Sequence, residues 1–259
     1  MSLRHLMLCL VFFTAPTFAR AAAPDATVDL DLVLAVDVSG SIDTRESALQ
    51  RGGYLAAIRS PEFAAAVRAG PLGKIRLTYV EWAGEAMQQV TVPWRVIDGP
   101  EAAQAFANEL AEKPAARFRR GTSISSALVF SAGLFEGGGT RRVIDISGDG
   151  PNNAGGMVTV ARDAIVAQGI IINGLPMLIN PAQILPPLDR YYADCVIGGE
   201  GSFSLPVTSV GSLAEAIRMK LLRELMSSNG QGNVIPAATE PSTDCLAGEK
   251  ERARRIDQY

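Results

Sequence analysis

The chain has 259 residues, of which 47% are hydrophobic and 20% charged, and this suits one globular domain with a sizeable apolar core. Its formal net charge of −3, without a cluster of basic residues, argues against a nucleic-acid-binding protein. The single histidine, His5, lies in a segment that we expect to be removed, and a chain without histidine excludes a Ser-His-Asp triad, a Cys-His dyad and zinc or iron sites that need imidazole.

Residues 1–21 have the three parts of a secretory signal peptide. Arg4 gives a positive charge, residues 6–13 form an apolar run, and Ala19 and Ala21 stand at the −3 and −1 positions of a cleavage site. The apolar run is shorter than the roughly 20 residues that a transmembrane helix needs, and no other stretch is long enough. We therefore predict a periplasmic or secreted protein whose mature chain has no transmembrane segment.

Apolar strand-like runs alternate with amphipathic helical runs over residues 27–226. The predicted strands are residues 32–36, 75–82, 88–92, 142–147, 170–173 and 195–197. The predicted helices are residues 44–59, 101–112, 123–135, 157–168, 187–193 and 213–226. Strands 75–82 and 88–92 form a hairpin, and Pro93 restricts the second strand to an edge. The alternation predicts a doubly wound α/β domain, with a mostly parallel sheet, one antiparallel edge strand and helices on both faces.

The C-terminal segment, residues 227–259, has no helical or strand period before a short charged stretch. We predict a flexible tail with a helix near residues 248–255. Cys195 and Cys245 are the cysteines that remain after signal-peptide removal. An exported compartment permits a disulfide between them, and a free, buried Cys195 is the alternative.

Polar side chains follow the first predicted strand. Asp37, Ser39 and Ser41 stand at alternate positions, and Gly40 between the serines permits a tight turn. One carboxylate and two hydroxyls, all oxygen, form a ligand set that suits a hard divalent cation. The alternative is that these side chains only cap the next helix.

Two later loops carry similar chemistry. Thr122 precedes a predicted helix, where it could offer a hydroxyl to a ligand or act as the N-cap. Asp149 follows the strand at 142–147, so it belongs to the carboxyl end of the sheet, where ligands bind in open α/β folds.

In this combination and order, the runs LVLAVDVSGS (32–41), RGTSISSAL (120–128) and VIDISGDG (143–150) resemble the von Willebrand factor A domain. The resemblance implies a metal-ion-dependent adhesion site (MIDAS) made by Asp37, Ser39, Ser41, Thr122 and Asp149. It implies Mg²⁺, with Mn²⁺ or Ca²⁺ as alternatives, and a protein partner that presents Asp or Glu. The commonest form of the third loop has Thr where this chain has Gly148.

The run at 191–204, the closing helix and the signal peptide are similar to an exported bacterial family of A-domain proteins without assigned function. We therefore expect a metal-dependent protein-binding module and not an enzyme. The alternatives are a phosphatase-like hydrolase, although Ser39 stands where such enzymes have a second Asp, and an assembly subunit in which the metal only stabilises the fold. Around the site, Arg119, Arg120 and Asn152 are the candidate partner-binding residues.

Overall fold

The structure is a computed structural model and describes residues 27–40, 44–116, 121–136, 141–179, 186–226, 235–236 and 242–256. Within these residues, seven strands form one sheet in the order β3-β2-β1-β4-β5-β6-β7. The strands are β1 (Leu30–Asp37), β2 (Ile75–Trp82), β3 (Gln88–Ile97), β4 (Arg142–Gly148), β5 (Ile170–Pro176), β6 (Phe203–Ser204) and β7 (Ile235–Pro236). The helices are α1 (Thr44–Ile58), α2 (Pro61–Arg68), α3 (Pro100–Glu112), α4 (Ile124–Ala132), α5 (Val158–Val166), α6 (Leu188–Tyr191), α7 (Leu213–Met226) and α8 (Ala247–Ile256).

The sheet is doubly wound, as the sequence predicts. Five neighbouring strands, β2, β1, β4, β5 and β6, run parallel. At one edge, β3 pairs antiparallel with β2. The β2–β3 register shifts near Tyr79, opposite the part of β3 that contains Pro93, because proline cannot donate a ladder hydrogen bond. At the other edge, β7 pairs antiparallel with β6, an addition that the sequence did not indicate.

Strand β1 lies inside the sheet, between β2 and β4, and is buried on both faces. Its residues Leu32 and Leu34 pack into an apolar layer with α1, α2, α3 and α7. Val33 and Ala35 face the opposite layer, which contains α4, α5 and α6. A strand with two covered faces must be apolar at successive positions. This explains why β1 is a continuous apolar run and does not alternate between apolar and polar residues.

One predicted element is wrong, and one predicted boundary is incomplete. Ser60-Pro61, expected only to end a helix, also begins α2, because Ser60 Oγ accepts a hydrogen bond from Phe63 N and proline suits the first helical turn. Residues 195–197 are not a strand: a π-helical turn, Tyr192–Val196, continues from α6. The strand that pairs with β5 comes later, at β6.

The structure describes two parts of the predicted C-terminal tail, residues 227–259. Ile235–Pro236 joins the sheet, and Ala247–Ile256 forms α8 close to the predicted helical stretch. Cys245, just before α8, forms a disulfide with Cys195, the pairing that the sequence left open. Of the helices in the described ranges, none combines the length and apolar character that a membrane crossing requires. The predicted signal peptide, residues 1–21, lies outside the described residues.

Candidate metal centre

The candidate site lies at the carboxyl edge of the sheet, where β1 and β4 are neighbours. Both strands run parallel, so the loops that follow them leave the same edge. The next helices go to opposite faces, since α1 packs in one apolar layer and α5 in the other. This is the switch point at which open α/β sheets bind ligands. Asp37 ends β1, and Asp149 follows β4 directly.

Asp37 is a fully buried carboxylate with one unsatisfied oxygen. Its side chain is 0% exposed. Oδ1 accepts a hydrogen bond from Ser39 N at 2.7 Å. Oδ2 is buried and has no hydrogen-bond partner among the described residues. A buried carboxylate oxygen without a partner is unfavourable by several kcal/mol unless a charge or donor compensates it, so this site needs a cation or a proton.

A second carboxylate, that of Asp149, lies close enough to act on the first. Burial and, next to it, the negative charge of Asp149 raise the pKa of Asp37 to about 8, against hydrogen bonds from Ser39 and from the Asp149 backbone that lower it. Two carboxylates that repel each other at a buried edge are the usual arrangement where a cation binds between them. The donor chemistry therefore fits a divalent metal ion held by oxygen ligands.

Thr122 belongs to the same edge and does not cap the helix after it. The N-cap of α4 is Ser123, whose Oγ accepts from Ser126 N at 3.3 Å. Thr122 is 5% exposed, and a Cβ on Gly150 would lie 3.9 Å from its Oγ1, so the Thr122 loop contacts the loop after β4. The capping alternative for Thr122 is thereby removed. Its hydroxyl faces the loop that carries Asp149.

Asn153 fastens these two loops together, a role that was not predicted from the sequence. Its Oδ1 accepts from Thr122 N at 2.9 Å, and its backbone N donates to Thr122 O at 2.9 Å. The two hydrogen bonds fix the backbone of Thr122 relative to the β4 loop. Its position could have indicated this role, because it lies in the Pro151-Asn152-Asn153 run after the Asp-Gly turn. In such a run, the side-chain amide of an asparagine can form hydrogen bonds with the neighbouring backbone.

Tyr192 also has a role that was not predicted from the sequence, and it explains the unusual glycine. A Cβ on Gly148 would lie 2.8 Å from the Tyr192 hydroxyl and 3.0 Å from Asp37 Oδ2. The hydroxyl thus takes up space that a threonine would need at this position. Burial raises the pKa of Tyr192 well above its ordinary value, and the charges of Asp37 and Asp149 add to the shift, so the phenol stays protonated beside the carboxylates.

Other predicted site residues have different outcomes. Ser41, Arg119 and Arg120 lie outside the described residues. Ser39 is described and is 2% exposed, next to Asp37. The structure contradicts the prediction that the Asn152 side chain faces a partner, because Asn152 is 0% exposed. Its Oδ1 accepts a hydrogen bond from Ser125 N, and its Nδ2 donates one to Gly156 O. A buried side chain with these internal bonds cannot contact a partner directly.

Asp145, the other acid of β4, takes no part in this site. It lies 2.8 Å from Lys220 Nζ, and Lys220 also pairs with Glu224 at 2.8 Å. All three side chains are buried, and the two partners belong to α7, on the opposite side from α4 and α5. In the described part of the chain, no group of three or more His, Cys, Asp or Glu forms a metal-binding cluster. The candidate centre thus consists of a carboxylate pair with hydroxyl groups around it.

Comparison with known proteins identifies the family and the fold. A family model described as "Protein of unknown function (DUF1194)" matches residues 27–229. No curated protein matches the chain.

Several solved structures share the fold at low sequence identity. The pilus adhesin SpaC from Lactobacillus rhamnosus GG superposes with a TM-score of 0.56 at 12% identity, over 77% of this chain and 30% of the adhesin. Proximal thread matrix protein 1 from the mussel byssus, in a structure described as having a zinc-occupied MIDAS motif, gives 0.53 at 13% identity, over 77% of this chain and 47% of that protein.

The von Willebrand factor domain of the type V pili tip protein Mfa5 from Porphyromonas gingivalis gives a TM-score of 0.51 at 10% identity, over 80% of this chain and 99% of that domain. The chain thus spans less than half of the adhesin and of the mussel protein, and the likeness concerns the fold. That fold is the one that the sequence motifs predict, the von Willebrand factor A domain.

Proposed function

Because the chain belongs to the family described as "Protein of unknown function (DUF1194)" and has the von Willebrand factor A fold, we propose that it is an exported, metal-dependent protein-binding module. The observation that carries the proposal is the buried Asp37 carboxylate, whose Oδ2 has no hydrogen-bond partner in the described residues while a second carboxylate lies beside it. A divalent cation supplies the positive charge that this arrangement requires.

The proposed ligands are Asp37, Ser39, Ser41, Thr122 and Asp149, and the proposed ion is Mg²⁺, with Mn²⁺ or Ca²⁺ as alternatives. When bound, the ion would offer an electrophilic position to an Asp or Glu of a partner protein. Among the proposed ligands only Asp37 and Asp149 are charged, and the others are neutral hydroxyls, so a bound divalent ion would stay electrophilic and would accept a further carboxylate in place of water. Ser39 and Thr122 are such neutral ligands.

We propose binding and not catalysis. The only histidine of the chain is His5, in the predicted signal peptide, and Ser39 stands where a phosphatase of the aspartyl-nucleophile type has its second acid. A metal-dependent hydrolase remains the competing hypothesis, and it predicts turnover of a small phosphate or ester that disappears in Asp37→Ala.

Export is the second part of the proposal. Residues 1–21 have the composition of a signal peptide, and Cys195 forms a disulfide with Cys245, a bond that persists in oxidising compartments such as the periplasm. Mass spectrometry of protein from the native host tests this: a mature N-terminus near Ala22 supports export, and intact Met1 in the cytoplasm contradicts it.

The binding proposal is tested by affinity capture from the exported fraction of the native host. The mature protein is used as bait in Mg²⁺, in EDTA and as Asp37→Ala, with Asp163→Ala as the control, since the Asp163 side chain is 67% exposed on α5. We expect at least one protein that the wild type and the Asp163→Ala control capture in Mg²⁺. The same protein should be absent in EDTA and with Asp37→Ala. Partners that are unaffected by EDTA and by Asp37→Ala would instead favour the assembly-subunit hypothesis.

A further inference from the structure

The C-terminal helix α8 packs against the loop that follows β4, beside the candidate metal centre. A Cβ on Gly248 would collide with the Asn152 carbonyl oxygen, so the helix backbone touches the loop backbone there. Asn152 Nδ2 donates a hydrogen bond to Glu249 Oε1 at 2.7 Å. One turn later, Arg252 Nη1 donates to Asn153 O at 3.1 Å. The helix thus contacts both asparagines of the loop.

The same two asparagines hold the segment that carries Thr122. Asn153 bonds the Thr122 backbone through its own amide nitrogen and through its side-chain oxygen, both at 2.9 Å. Asn152 Oδ1 accepts from Ser125 N at 3.0 Å, in the first turn of α4. A displacement of this loop would therefore move Thr122, and it would also move Asp149, which lies on the loop itself. Contacts from α8 therefore reach Thr122 through Asn153, and they fall on the loop that carries Asp149.

Covalent and hydrogen bonds hold α8 in this place. Cys245, two residues before the helix, forms a disulfide with Cys195, which is 0% exposed in the π-helical turn after α6. The Tyr191 hydroxyl accepts from Asn152 N at 3.2 Å and donates to Cys245 O at 3.4 Å, so it connects the loop with the anchor. Ser242 adds two hydrogen bonds to Asp194 Oδ2, each 3.0 Å long.

A helix as short as α8 gains stability from this docking. It has 10 residues, and isolated helices shorter than about 12–15 residues are marginal in water. Its formation is therefore coupled to its docking on the loop. The family model ends at residue 229, so α8 lies outside the part of the chain that the model matches.

We propose that the disulfide-anchored helix α8 is part of the metal centre, with Glu249 and Arg252 as positioning residues. Acting through Asn152 and Asn153, they hold the Thr122 and Asp149 loops at the separation that a cation requires. This inference rests on the proposed function, because it assumes that a cation binds at Asp37. It assigns to the C-terminal segment a role in metal affinity, in addition to any contribution to stability.

The test is calorimetric titration of Mn²⁺ into the EDTA-stripped mature protein. Glu249→Ala removes the acceptor for Asn152 Nδ2, and we expect its Mn²⁺ affinity to fall about tenfold, the lower end of the effect of losing a residue that orients a metal ligand. Glu249→Gln keeps a carbonyl oxygen and should recover affinity to within about twofold of the wild type. Arg252→Ala should weaken binding in the same direction as Glu249→Ala.

The matched control is Glu251→Ala, an exposed acid on the same helix that pairs with Arg254, and its affinity should equal that of the wild type. Circular dichroism melts of every variant verify that the fold is retained. A second readout uses reciprocity: a helix that favours metal binding is itself favoured by bound metal. Mn²⁺ should therefore slow amide hydrogen exchange in residues 247–256 of the wild type, and not in Asp37→Ala.

The outcomes separate the two proposals. Wild-type protein that binds Mn²⁺ with unchanged affinity in Glu249→Ala and in Arg252→Ala would overturn the role of α8 and leave the metal centre intact. A lower melting temperature with unchanged affinity would also overturn it, because it would show a purely structural role. Wild-type protein that binds no Mn²⁺ would overturn the proposed metal centre, and the inference with it.

Discussion

Gly148 shows how a single residue adapts this site to its surroundings. A side chain at position 148 would meet the Tyr192 hydroxyl and Asp37 Oδ2, at 2.8 and 3.0 Å from its Cβ. Both distances are below ordinary van der Waals contact, and the neighbours are buried, so neither can move away freely. Glycine is therefore required here by close approach, and tyrosine occupies the volume that it leaves.

We predict that Gly148→Ala lowers the free energy of unfolding by about 1–3 kcal/mol, the usual effect of overpacking a close-packed site. Tyr192→Phe in the same chain removes the closest atom and should recover part of the loss. Urea denaturation measures both effects. Gly211→Ala is the control, since a Cβ there would have no atom within 4 Å. Equal stability of Gly148→Ala and the wild type would show that the space is available.

A pH-dependent effect is expected from Asp145. Burial raises its pKa to about 6, against the charge of Lys220, which lowers it. Below about pH 4 the carboxyl is protonated in the folded and the unfolded chain alike. Between about pH 4 and pH 6 the folded chain retains a proton that the unfolded chain releases, so the stability contributed by this group decreases as the pH rises through that window.

Asp145→Asn does not titrate, so it isolates this contribution. The free energy of unfolding of the wild type minus that of Asp145→Asn should decrease by up to about 1.4 kcal/mol per pH unit between pH 4.5 and 6 and then stay level. Urea denaturation at several pH values provides the measurement, with Asp163→Asn as an exposed control. A difference that does not change with pH for Asp145→Asn would mean that the buried carboxyl is ionised throughout.

At the scale of elements, two arginine–glutamate pairs differ in their surroundings. Arg51 of α1 pairs with Glu81 of β2 at 2.9 Å, and Glu81 is 1% exposed. Glu81 Oε2 also accepts from Thr91 Oγ1 and from Ala116 N, so it fastens the chain that leads from α3 to the Thr122 loop. The pair between Arg95 and Glu109 is 46% and 26% exposed and connects β3 to α3.

We expect Arg51→Ala to lower the free energy of unfolding by about 3 kcal/mol, because it leaves Glu81 buried without its cation. Arg95→Ala should change it by less than about 1 kcal/mol, as exposed ion pairs do. Chemical denaturation of both variants tests the contrast. Similar losses would indicate that burial does not distinguish the two pairs.

The elements that place the metal centre could be predicted from the sequence, and the elements that complete it could not. Asp37 and Asp149 each follow an apolar strand, and parallel strands bring their carboxyl ends to one edge, so local pattern suffices. Tyr192 begins a π-helical turn whose last residues, Cys195 and Val196, resemble a strand in sequence, and α8 depends on a disulfide and on docking. Such features arise from contacts between distant segments, which periodicity does not reveal.

For the molecule as a whole, the account joins a doubly wound domain, a carboxylate pair at its switch point and a C-terminal segment fastened beside that pair. The sequence predicts the domain and the carboxylate pair, and it does not predict how the C-terminal segment packs. Fold class and switch-point acids come from short-range patterns. The packing of the C-terminal segment is known only from the structure, because residues 227–259 have the composition of a solvated segment. The central claim is that the acid pair exists to hold a cation.

A crystal structure of the mature protein grown in millimolar Mn²⁺, with anomalous data, tests that claim most directly. We expect one anomalous peak at the carboxyl edge of β1 and β4, within about 2–2.5 Å of oxygens of Asp37, Thr122 or Asp149, or of ordered waters that these oxygens bind. The same crystals of Asp37→Ala should lack the peak. Well-ordered loops with no peak near Asp37, in wild-type crystals that contain Mn²⁺, would contradict the account.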